Sequence, residues 1–144
     1  MDKQEDFGLT SSGDSTIRCE IPLKLPSLNE YVKACRGGWQ GGHSMKAKTD
    51  AKIMPYLADL PRFENPIRIH WLWVEENKRR DCDNIAFGKK FILDAMQKAG
   101  KLKNDNRKFV VGFDGDDFEY AEQAKVILTI REVKYIGKEN KNDN

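Results

Sequence analysis

The sequence predicts an α+β fold in one domain, a small mixed β-sheet packed with two main helices. Three observations carry that expectation. Apolar residues alternate with polar ones after Ile17 and again from Ile67 to Val74, the period of a strand. Between strand-like segments, Ile85, Ile92, Ala95, Met96 and Ala99 recur at helical spacing. The chain of 144 residues is 39% hydrophobic and holds seven Phe, four Tyr and three Trp, enough to bury one core without disulfide staples.

Taken in order, residues 1–14 are polar, carry Gly8, Ser11, Ser12 and Gly13, and are expected to lack fixed structure. The folded domain is expected over 15–135, with a flexible charged tail at 136–144. Ile17 to Leu23 reads as a strand closed by a turn from Pro22 to Ser27. Leu28 to Cys35 suits a short helix. Arg36 to Gly42 has four glycines in seven positions and is expected to be mobile. Ser44 suits the N-cap of a helix to about Leu60, bent or interrupted by Pro55. Pro61 and Pro66 frame a break before the next strand. There Ile67, Ile69, Trp71 and Trp73 face one way and Arg68, His70, Leu72 and Val74 the other; apolar on both faces at its far end, it should be central. Asp83 or Asn84 can cap a helix to about Ala99, with Gly100 as its C′ glycine. Phe109–Phe113 and Ala124–Val133 read as two more strands, joined through the Asp114–Gly115 turn.

The bulk numbers narrow the function. No apolar run approaches a membrane span; the densest is Trp71 to Val74. No signal peptide is visible, and Cys19, Cys35 and Cys82 form no Cys-x-x-Cys pair, which argues against zinc and for reduced cytoplasmic thiols. The net charge of +2 hides an asymmetry: residues 77–108 hold ten Lys and Arg against four Asp, a local +6, leaving −4 for the rest. Positive charge concentrated around a few carboxylates favours a nucleic acid partner.

Those carboxylates are Asp81 and Asp83, directly behind Lys78, Arg79 and Arg80. Residues two apart on an extended segment point to one side, so both carboxylates could grip one divalent ion while the cations hold a polyanion. The competing reading is an N-cap with a dipole-favourable carboxylate at a helix start. Farther along, Asp83, Lys90 and Asp94 share a helical face. Lys90 there could contact a scissile phosphate, or be the partner of Asp94 in an exposed i,i+4 pair. Asp114, Asp116, Asp117 and Glu119 resemble part of a calcium loop, with a solvated turn the better reading. His70 is expected to be structural. Arg36 and Trp39 either stack on bases or belong to an idle surface loop.

In order and spacing, Arg79-Arg80-Asp81-Cys82-Asp83-Asn84, then Lys90, Asp94-Ala95-Met96, Lys98-Ala99-Gly100 and Asn104-Asp105 resemble the RusA family of phage and prophage Holliday junction resolvases. Leu25-Pro26-Ser27-Leu28-Asn29-Glu30-Tyr31 is similar to that family's amino-terminal Pro-Ser-Asn-x-Tyr segment. The resemblance spans roughly residues 17–132. It implies a homodimer that resolves four-way DNA junctions by paired cuts in the cytoplasm of a bacterial host. It also implies Asp81, Asp83 and Asp105 as magnesium ligands, with manganese able to substitute. Lys90 is the match to the family's catalytic lysine, with Lys89 its rival, because the stretch after Asn84 is about three residues longer than the family's short pattern. DNA contacts are expected from Asn29, Arg36, Lys78, Arg79, Arg80, Lys89, Lys103, Arg107 and Lys108. A non-catalytic module that binds structured DNA is the alternative.

Overall fold

In the computed structural model, residues 15–134 are described. The expected flexible segments at 1–14 and 136–144, and Tyr135, lie outside them. The first strand, β1 (Thr16–Ile21), leads through a proline-containing turn into α1 (Leu28–Arg36). Helix α1 opens with a capping box: Ser27 Oγ accepts the Glu30 N–H at 3.1 Å, and Glu30 Oε1 accepts the Ser27 N–H at 2.8 Å.

The expectation of a mobile glycine loop followed by a helix capped at Ser44 is corrected. Helix α2 runs from Trp39 to Ile53, its N-cap is Gly38 at φ +118°, and Gly41 and Gly42 are inside it. Packing explains why glycine sits in this helix. A Cβ at Gly41 would strike the Ala34 carbonyl oxygen, and one at Gly42 the Cys35 Sγ, so these two positions set how closely α1 and α2 cross. The helix stops well before Leu60: Met54–Leu57, with Pro55 inside, is a single 3-10 turn.

Strand β2 (Ile67–Glu75) is central, as its two-faced pattern predicted; the sheet order is β1-β4-β2-β3. The helix expected from Asp83 onward is two, α3 (Cys82–Ala86) and α4 (Gly88–Lys98), with Asp81 as the first N-cap. Gly88 begins α4 because a Cβ there would sit 3.1 Å from both Leu25 Cδ1 and Trp73 Cζ3. Gly100, at φ +77°, ends the helix as expected. Helices α2 and α4 are tied by Lys46–Asp94 and Lys98–Asp50, each at 2.6 Å. Both pairs step four residues in the same direction, so the two helices run parallel.

The predicted hairpin at Asp114–Gly115 does not form. Strand β3 (Val110–Tyr120) runs straight through that dipeptide, parallel to β2, and β4 (Lys125–Glu132) pairs antiparallel with β1 and β2 instead. Ile69 pairs with Phe113 and His70 with Gly115, so Asp114 is the extra residue of a bulge, and Gly115 takes φ +134°. The positive-φ glycine is real, but it resets register rather than reversing the chain. One face of the sheet buries Ile67, Ile69, Trp71, Trp73, Leu128 and Ile130 against Ile53, Leu57, Phe91, Ile92 and Met96. The architecture is thus a small α+β domain with a four-stranded mixed sheet. Among the described residues, no helix is long and apolar enough to cross a membrane.

Candidate nucleic-acid and metal site

The site begins where β2 ends. Glu75 closes that strand with its side chain only 8% exposed, and a buried carboxylate must find a partner. Arg80 supplies it, five residues on: Nε lies 3.1 Å from Glu75 Oε1 and Nη2 lies 2.8 Å from Oε2, a two-pronged, charge-assisted pair. The third prong, Nη1, donates to the Leu25 carbonyl oxygen at 2.9 Å. Arg80 therefore holds the segment 76–80 to the strand and to the amino-terminal Leu25–Tyr31 segment. Its guanidinium is committed to the protein, so the part the geometry gives Arg80 is that of an anchor.

Immediately after this anchor come the two aspartates. Asp81 is extended, at φ −77° and ψ 158°, and serves as N-cap of α3 by position, but its side chain makes no capping bond. Asp83 lies within the first helical turn. The expectation that both sit on one extended segment is therefore wrong; they straddle the point where extended chain becomes helix. Both are exposed, and neither carboxylate has a hydrogen bond or ion pair with a described residue. The capping reading thus fits Asp81 in position but not in chemistry. Asn84 is different. Its Oδ1 accepts the Asn29 backbone N–H at 3.0 Å, across 55 residues of sequence. Together with Arg80, it draws the Leu25–Tyr31 segment and the Asp-Cys-Asp-Asn segment into one surface.

The two neighbouring lysines are sorted by the twist of α4. Lys89 turns toward the sheet, with its Nζ 2.7 Å from Asp116 Oδ2 and 4.6 Å from the Phe113 ring centroid. Asp116 also accepts the Trp73 Nε1–H at 2.9 Å, so this lysine belongs to a packed polar cluster under β3. Lys90 turns away from the sheet, is 56% exposed, and lies 3.8 Å from Asp94, the i,i+4 pair foreseen from spacing. Asp94 is already held by Lys46. Burial alone would lower the Lys46 ammonium, yet the hydrogen bond and charge of Asp94 outweigh it and hold the group above its ordinary value. Lys90 is consequently the more available of the two cations.

The remaining predicted contacts scatter around this surface. Lys78 lies over the Tyr120 ring and Lys103 over the Phe109 ring, at 5.4 and 6.0 Å. Arg36, Arg79, Arg107 and Lys108 are exposed, with no side-chain partner among the described residues. Asp105 is exposed on the loop between α4 and β3, where the neighbouring Asn104 side chain accepts the Asn106 N–H. Among the described residues, however, no group of three or more His, Cys, Asp or Glu is arranged to hold a metal ion. Asp81, Asp83 and Asp105 do not form a ready-made pocket. The calcium-loop resemblance also dissolves: Asp114 pairs with Arg68 and Arg131, and Asp117 with His70. His70, on β2, thus engages Asp117 on β3. Sequence reasoning missed Glu75, whose signal was a carboxylate directly after the apolar run Trp71–Val74 with an arginine five residues on.

Compared with known proteins, the chain matches no family model and no curated protein.

Proposed function

We propose that this protein is a magnesium-dependent endonuclease that acts on branched DNA, with Asp81 and Asp83 as its essential carboxylates. The observation that carries the reading is the joining of the two motif-bearing segments. Asn84 and Arg80 bring the Leu25–Tyr31 segment against Asp81–Asn84, and both aspartates there stand exposed and unspent. Crowded carboxylates with no partner among the described residues suit a cation better than they suit each other.

The three-carboxylate pocket is not assembled in the free chain. The reading asks less than that pocket, because magnesium is commonly held by one or two carboxylates together with substrate phosphates. When bound, the ion would neutralise phosphate charge and lower the pKa of a water ligand. The chain's own part is to keep Asp81 and Asp83 fixed behind the Glu75–Arg80 anchor, to offer Lys90 to the phosphate, and to attract the polyanion through Arg79, Arg107 and Lys108. Asp105 joins only if its loop meets them on the substrate. Paired cutting of a four-way junction asks for two such sites, which a homodimer would supply.

A second reading, a non-catalytic module for structured DNA, is favoured by the same lack of a finished metal group. One assay separates them. A synthetic four-way junction and a linear duplex are incubated with the protein in magnesium, manganese or chelator. The expected result is metal-dependent cutting of the junction that is lost in Asp81→Asn and Asp83→Asn, while junction binding persists. A wild-type protein that binds the junction and cuts it with neither metal would establish the non-catalytic reading instead.

A further inference from the structure

A second surface leads away from the aspartates. Two cavities of about 560 and 320 Å³ share Pro26, Ala34 and Met45, and so form one groove between α1, α2 and the segment before α1. Its floor is apolar: Leu25, Pro26, Ala34 and Met45. Its rim is cationic, with Lys24 and Lys33 at one end and Lys48 and Lys52 at the other. All four lysines lie at the surface, and none has an ion-pair partner among the described residues. The one acidic lining residue, Glu30, is spent on the Ser27 capping box and lies 4.0 Å from Arg80.

The groove is also tied to the candidate site by one hydrogen bond. Leu25, in its floor, gives its carbonyl oxygen to Arg80, the residue before Asp81. From Gly41 to Lys52 the groove follows α2 for about 16 Å, by the rise of a helix. Four ammonium groups beside an apolar floor, unpaired among the described residues, complement a ligand with regularly spaced phosphates and flat apolar faces. Duplex DNA hides its base faces; an unpaired strand offers them.

We propose that this groove binds a single strand of nucleic acid, guiding an unpaired stretch beside the branch point toward Asp81 and Asp83. The assignment rests on the nuclease reading for its purpose, but the groove's chemistry can be tested apart from cutting.

The probe is a fluorescein-labelled dT12 oligonucleotide, with binding followed by anisotropy in chelator so that no cleavage intervenes. Replacing Lys24, Lys33, Lys48 and Lys52 together by Gln should weaken binding at least tenfold. It should also flatten the salt dependence of log K by roughly 3, about 0.7 for each phosphate that the variant no longer neutralises. Met45→Ala, which shortens the floor without adding charge, should weaken binding too, and thermal melts check that both variants are folded. Unchanged dT12 affinity in the folded quadruple variant overturns the proposal. So does equal competition by a glutamate-rich peptide, which would make the groove a docking place for acidic protein. A wild-type chain that holds dT12 through these lysines yet cuts no junction overturns the nuclease reading and leaves the groove standing. Junction cutting combined with undiminished dT12 binding by the quadruple variant does the reverse.

Discussion

Two acidic runs in this molecule look alike in sequence and meet opposite fates. On β3, Asp114 is gripped by Arg68 and Arg131, Asp116 by Lys89 and Trp73, and Asp117 by His70. At the start of α3, Asp81 and Asp83 engage no described residue through their side chains, nor does Asp105 on its loop. The strand carboxylates occupy register positions beside basic groups on β2, β4 and α4, so their mutual repulsion is offset by hydrogen-bonded pairing. The helix-start carboxylates follow an anchor that has already consumed the nearest arginine. Acidic density does not distinguish the two runs; whether the carboxylates are paired does.

That contrast can be broken most severely at the anchor. Glu75→Ala leaves the mostly buried Arg80 guanidinium without its carboxylate and should cost about 3–5 kcal/mol in urea unfolding. A loss below about 1 kcal/mol would mean that Arg80 does not hold the site together. Next come the two lysines. Lys89→Met removes the partner of Asp116 and should cost roughly 1–2 kcal/mol, whereas exposed Lys90→Met should stay within about 0.5 kcal/mol. Junction cutting should show the opposite ranking, with Lys90→Met the more damaging change.

Asp114 sharpens the comparison through pH. The hydrogen bond from Arg131 is the main cause holding its carboxyl below the usual range; burial opposes this, and Arg68 adds to it. Because the folded pKa lies below the unfolded value of about 3.9, the stabilisation is fully present above that value and is lost as pH falls through the folded pKa. Asp114→Asn should therefore cost roughly 1 kcal/mol at pH 7 and progressively less as pH falls through the folded pKa, read from urea midpoints at successive acid pH values. The smallest effect belongs to the unspent pair. Asp81→Asn and Asp83→Asn should each change stability by less than about 0.5 kcal/mol. A clear loss of stability in thermal melts would reveal a structural role for which the fold offers no partner.

Much of the fold was legible because it is local. The segment Ile67–Val74, apolar on both faces at its far end, pointed to a central strand, and β2 is central. Gly100 marked a helix end because only a positive φ closes that turn cheaply, and it has one. The glycine-rich stretch misled for a physical reason: Gly41 and Gly42 are poor helix formers, but tight packing against Ala34 and Cys35 outweighs propensity. The same held at Asp114–Gly115, where a positive-φ glycine serves a bulge as readily as a turn. In the candidate site, the spacing of Asp81, Asp83 and Asn84 was visible in the chain, while the Glu75–Arg80 anchor and the Asn84–Asn29 bond were not.

What the amino-acid order determined by itself was the kind of the strongly periodic segments such as β2 and α4, the basic character of residues 77–108, and the candidate chemistry at Asp81 and Asp83. Those properties follow from side-chain period, charge and backbone preference within a few residues. Only the tertiary structure decided that β4 lies between β1 and β2, that Lys89 packs under the sheet while Lys90 faces solvent, and which carboxylates remain unspent. Each of these depends on partners tens of residues away, and long-range pairing is selected by the packing of the whole sheet and its helices rather than by any local preference.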